Sequence, residues 1–189
     1  MPRRDLRRFP FVAVLALGVA VNAFGQAPRG KPQPPVHKAG LSLEDAAFAN
    51  KAAAGGIAAV EMGKLAQQIS KTAEVKKLAE RIVADRGKAN EELKALSAAK
   101  GNPLPVSPSR VAMIEMEKVV KLTGAKFDQE YLEDVAEDHK KDVKEFEKQS
   151  KAGKDPDLTK WAAERLPMLQ EHLRLAEAAM AKAKGAKKK

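Results

Sequence analysis

The chain is predicted to be an all-α bundle of four long helices and one short connecting helix. Three observations lead there. Apolar residues recur every three to four positions in four long stretches, as in Tyr131, Leu132, Val135, Val143 and Phe146, which is the spacing of one helical face. No stretch alternates apolar and polar residues as a half-buried strand would. Helix starts and stops flank the periodic stretches: Ser42, Gly101, Gly153 and Asp155-Pro156.

The ends carry different information. Arg3, Arg4, Arg7 and Arg8 form a basic head, and Phe11 to Ala23 is an apolar run of 13 residues. That run is shorter than the roughly 20 residues a membrane-spanning helix needs. Ala23 and Gly25 supply the small residues a signal peptidase requires, so residues 1–25 read as a Sec-type signal peptide cleaved near Gly25. The expected location is the periplasm or the exterior, with no transmembrane segment left after cleavage. The sequence contains no cysteine. It therefore has no lipoprotein attachment site and no disulfide, and its stability rests on packing.

Residues 26–40 hold four prolines and no periodicity and read as a disordered linker. Residues 41–184 are expected to form the bundle, and residues 185–189 a basic tail. Of the net charge of +10, the first 25 residues carry +3 and the last eight +5, leaving +2 for the body. A nucleic-acid-binding face is not indicated. The lysine-rich tail is suited at most to weak contact with an anionic envelope surface. The oligomeric state is open.

Ser42 is the expected N-cap of the first helix, with Glu44 and Asp45 in the first turn. The helix runs to about Ser70 with Ala54, Ile57, Ala58, Glu61 and Leu65 on its inner face. Gly55-Gly56 interrupts it, at about 1 kcal/mol of helix propensity each, and implies close approach of a neighbouring helix. The second helix spans about Thr72 to Lys100, with Arg86 on the stripe between Ile82 and Ala89, and Asp85 beside it. The break from Asn102 to Pro108 leads into a short helix from Ser107-Pro108 to about Leu122, ended by Gly124. The link of roughly 25 residues is too long for a hairpin and suits a crossover to the far end of a bundle. The third long helix covers about Phe127 to Ala152, with His139 on its stripe. The fourth covers about Pro156 to Ala183, with His172 on its stripe and Pro167 in mid-helix.

Counted from the turns, Glu61, Arg86, His139 and His172 fall near one level of the core. The expected arrangement is a buried ion-pair and hydrogen-bond network in which Glu61, or else Asp85, neutralises Arg86, with Glu137, Asp138, Asp142 and Glu171 near enough in sequence to join it. The alternative is an iron, manganese or zinc site with Glu61, Asp85, His139 and His172 as ligands, since facing helices hold metals with such side chains. The Glu-x-x-His pair of di-metal bundles is absent: Ala136 and Leu169 precede the two histidines by three. No cofactor is the primary expectation. Nucleophilic catalysis has no support, because there is no Gly-x-Ser-x-Gly and no phosphate-cradling glycine loop.

Four blocks together carry a resemblance: FANKAAAGGIAAVEMGKLA, VKKLAERIVADRGKANEELKAL, GAKFDQEYLEDVAEDHKKDVKEFE and DPDLTKWAAERLPMLQEHLRLA. In this order they resemble the exported bacterial family called domain of unknown function 4142, over about residues 43–180. Its members often carry an outer-membrane label. The resemblance implies export and a ferritin-like four-helix architecture, and it supplies no activity. Glu61, Phe127, Asp128, Tyr131, Asp138, His139, Leu166, Pro167, Leu169 and His172 match the family pattern. Arg86 stands where the family has histidine, which removes one potential ligand. The functional expectation is an exported, non-catalytic envelope or stress-related protein, with a ferritin-like metal-binding protein or oxidase as the alternative.

Overall fold

The computed structural model describes residues 40–186. The expected signal peptide and nearly all of the expected linker lie outside the described residues, as do the last three lysines. The helices of the described residues are α1 (Leu43–Ile69), α2 (Ala73–Ala99), α3 (Arg110–Val119), α4 (Gly124–Ala152) and α5 (Pro156–Ala186). Ser42 caps α1 by accepting from the Asp45 amide. The short helix begins later than expected, because Ser109 rather than Ser107 is its cap and accepts from the Ala112 amide. Gly124 opens α4 instead of closing α3. Its φ of +57° turns the chain into the helix, a conformation that costs glycine little.

Three-residue turns make antiparallel hairpins of α1 with α2 and of α4 with α5. The hairpins meet along α2–α5 and α1–α4. The beginnings of α2 and α4 share one core, with Val75 and Leu78 packed with Phe127 and Leu132. The two helices therefore run parallel, and the long link carries the chain back along the bundle. Its helix α3 lies against α1 and α4. One long crossover in a four-helix bundle is the ferritin-like arrangement.

The apolar core has two halves. One joins Met62, Ile82, Tyr131, Val135 and Ala176. The other joins Phe48, Ala53, Ala89, Leu93, Phe146, Trp161 and Leu169. Between them, on α2, α4 and α5, stand the buried polar residues Arg86, His139 and His172.

Helix α1 differs from its expected phase. Its buried residues are Asp45, Phe48, Ala49, Ala52, Ala53, Gly56, Met62, Gly63 and Ala66. Ile57 and Leu65 are only half-buried, and Glu61 is exposed. The inner stripe is mostly small residues, which let α2 approach closely. A Cβ at Gly63 would lie 2.8 Å from Val83 Cγ2 and 3.2 Å from the Ala79 carbonyl oxygen, and one at Gly56 only 2.0 Å from Asn90 Oδ1. A Cβ at Gly55 meets nothing within 4 Å. Gly63→Ala is therefore expected to destabilise by about 1–3 kcal/mol through overpacking. Gly55→Ala should stabilise by about 0.5–1 kcal/mol through helix propensity. Urea melts of the two variants check this, and equal effects would show that the helices do not meet at Gly63.

Asp45 ties one end of the bundle together. Its carboxylate, 1% exposed, accepts from Gln149 Nε2 at 2.7 Å, the Asp155 amide at 2.9 Å and the Lys154 amide at 3.2 Å. Ser42 Oγ donates to it as well, at 3.0 Å. One side chain at the start of α1 thus holds the end of α4 and the turn into α5. Burial raises its pKa, and the hydrogen bonds from Gln149, Ser42 and the two amides outweigh burial and keep it below the usual carboxylate value.

Candidate functional site

The middle of α2 brings Arg86 into the core because Ile82 and Ala89, four before and three after, are buried on the same stripe. Arg86 is 3% exposed. A guanidinium stays charged at any accessible pH, so it needs an anion. That anion is Asp142 of α4, which accepts from Nη2 of Arg86. Glu61, the partner expected from the sequence, is on the surface of α1. The error follows from the phase of α1: rotating its stripe by one residue, about 100°, takes Glu61 out of the seam. Asp142, one of the carboxylates expected near the polar layer, lies three residues beyond His139 on the same helix.

The histidines form a chain. Nδ1 of His139 contacts the Val135 carbonyl oxygen at 2.8 Å, and its Nε2 lies 3.2 Å from Nδ1 of His172. Nε2 of His172 lies 2.9 Å from Oδ2 of Asp85. The rings stand edge to face, with centroids 5.2 Å apart. Asp85, His139 and His172 are therefore brought together, as the sequence suggested, and Glu61 is not.

The proton count of this chain is constrained. A carbonyl oxygen only accepts, so His139 donates from Nδ1 and its Nε2 accepts. A neutral His172 then has one hydrogen for two acceptors, His139 Nε2 and the Asp85 carboxylate. It serves one of them, and only an imidazolium serves both. The environment resists that added charge. Burial lowers the pKa of His139 well below its ordinary value, and Arg86 and His172 push it further the same way. Burial also lowers His172, opposed by its hydrogen bond to Asp85 and assisted by Arg86. We assign both rings as neutral near pH 7, since an unsatisfied lone pair costs less than a buried cation beside a guanidinium.

The donor set is a poor match to a metal. Each ring nitrogen faces a protein partner, Arg86 brings a cation to the same layer, and Glu61 faces away. Among the described residues no three His, Asp or Glu side chains converge in a way that could hold an ion.

A family model described as domain of unknown function DUF4142 matches residues 30–179. The chain belongs to the DUF4142 family. No curated protein matches this DUF4142 chain. Among solved structures it is similar to a DUF305 fragment from Deinococcus radiodurans, with a TM-score of 0.66 and 16% identity over 76% of this chain and 99% of that one. It is also similar to a candidate secreted DUF305 protein from Streptomyces coelicolor, with a TM-score of 0.64 and 20% identity over 74% of this chain and 93% of that one. At these identities the likeness concerns the fold. Among the described residues no helix of this DUF4142 domain is long and apolar enough to cross a membrane.

Proposed function

We propose that this DUF4142 protein is an exported, non-catalytic helical bundle of the cell envelope whose central polar layer serves as a hydrogen-bond and ion-pair network. The observation that carries the reading is the pairing of the polar groups: Arg86 with Asp142, His172 with one of its two neighbours Asp85 and His139, and His139 with a main-chain carbonyl. Such a layer costs stability unless its members are paired, and it favours one register of the four helices over others. Export is supported by the basic head, the apolar run and the small residues before Gln26.

The test is protein recovered from the periplasm without an affinity tag. Intact mass should correspond to a chain starting at Gln26, and metal analysis should find iron, manganese and zinc well below one equivalent. A product that still begins at Met1 would refute export with cleavage after Gly25. A stoichiometric metal would overturn the network reading in favour of a metal-binding protein using Asp85, His139 and His172.

A further inference from the structure

Beside the polar layer, under α3, is a cavity of about 410 Å³ between α1 and α4, with α2 as its floor. That volume is in the range of small-molecule sites. Its walls include apolar Ala58, Met62, Ile82 and Met116, and its charged residues include Asp134 and Glu115. The lysines on its wall are engaged: Lys51 with Glu145 at 3.0 Å, and Lys141 with Glu137 at 2.8 Å and Asp138 at 3.6 Å. Among the described residues no cation pairs with Asp134 or Glu115. Burial, together with Glu130, Asp138, Glu115 and Glu137, pushes the carboxyl of Asp134 up to about 6. Negative charge without a paired cation is thus crowded at Asp134 and Glu115.

A second observation is independent of the carboxylates. Tyr131 and Arg86 also line the cavity. They are 1% and 3% exposed, and the Tyr131 hydroxyl and the Arg86 Nε each lack a hydrogen-bond partner. Buried polar atoms are almost always satisfied, so two orphans on residues that line one cavity call for a missing partner. Nε–H only donates, and the phenol, whose pKa burial raises, stays a donor as well. Both need an acceptor oxygen.

We propose that this cavity binds a small organic amine with an apolar body and an acceptor oxygen. The ammonium faces Asp134 and Glu115, the body packs on Met62, Ile82 and Met116, and the oxygen accepts from Tyr131 and Arg86. Helix α3 is the roof.

Three phenols of similar size test the charge requirement: tyramine, neutral 4-propylphenol and anionic 4-hydroxyphenylacetate, titrated by calorimetry into the full mature chain at neutral pH. Tyramine should bind saturably and at least ten-fold tighter than either analogue. Asp134→Asn should weaken tyramine at least ten-fold while the ligand-free protein melts no lower than wild type, because the change relieves like-charge crowding. Tyr131→Phe, which keeps the ring, should weaken it several-fold. Equal binding of the three probes, no saturable binding of tyramine at millimolar concentration, or unchanged affinity in Asp134→Asn would each overturn the proposal.

Discussion

Asp45→Ala is expected to destabilise the bundle by about 3–4 kcal/mol, a large share of the 5–15 kcal/mol typical of a whole domain. The substitution removes no sizeable apolar surface. It strips an acceptor from the Gln149 amide and from the main-chain amides of Lys154 and Asp155. Buried donors without partners cost about 1–3 kcal/mol each, less whatever water re-enters. Asp45→Asn should cost somewhat less, since one oxygen remains while its NH2 faces donors. The same carboxylate makes stability depend on pH. Its pKa is lowered in the folded chain, so its contribution is complete above the unfolded value near 4 and is lost as pH falls through the lower folded value. Urea melts at pH 7 and down a series to pH 3 should show wild type losing its margin over Asp45→Asn in that acid window. A loss below 1 kcal/mol at pH 7 would show that the clamp does not hold the two hairpins together.

The second large effect is expected at the Arg86–Asp142 pair. Asp142→Asn leaves a cation that is 3% exposed without its counter-charge, and should cost about 3–5 kcal/mol. Arg86→Met leaves the Asp142 carboxylate instead, whose side chain is 20% exposed. Water can reach it, so about 2 kcal/mol is expected. The double substitution should recover part of the sum, because neither charge is then stranded. Glu61→Gln should stay within about 0.5 kcal/mol of wild type, as surface changes do.

The histidines supply a separate readout. Arg86 helps to lower the pKa of both His139 and His172. Their contribution to stability is therefore complete above the unfolded histidine value near 6.5 and is lost as pH falls below it toward the folded values. In Arg86→Met the folded values rise toward 6.5, and that loss shrinks. NMR titration of the two imidazoles, with melts between pH 7 and pH 5, checks the sign. Unchanged imidazole titration would mean that Arg86 does not act on the ring pair.

Helix count, crossover and three of the four inner faces were legible in the sequence because large apolar residues mark them. On α2, α4 and α5, residues such as Ile82, Tyr131, Phe146 and Leu169 are both the most hydrophobic and the most buried, so periodicity points at the core and carries Arg86, His139 and His172 in with it. On α1 the relation fails. Apart from Phe48 and Met62, the core side of α1 is lined by the small residues Ala49, Ala52, Ala53, Gly56, Gly63 and Ala66, while the bulkier Ile57 and Leu65 flank the contact. A pattern weighted by hydrophobicity then rotates the helix by one residue and draws in Glu61.

The sequence by itself determined the four-helix class, the crossover and the burial of one guanidinium and two imidazoles, since burial follows from spacing along a single helix and the crossover from the length of the link between two. Pairings across helices were decided by the tertiary structure alone. Asp142 rather than Glu61 on Arg86, the ordered chain from Asp85 through His172 to His139, and Asp45 beneath the α4–α5 turn all depend on the rotation and height of one helix against another. A rotation of about 100° or a slide of one 5.4 Å turn is enough to exchange one carboxylate for the next, and packed side-chain volumes fix both.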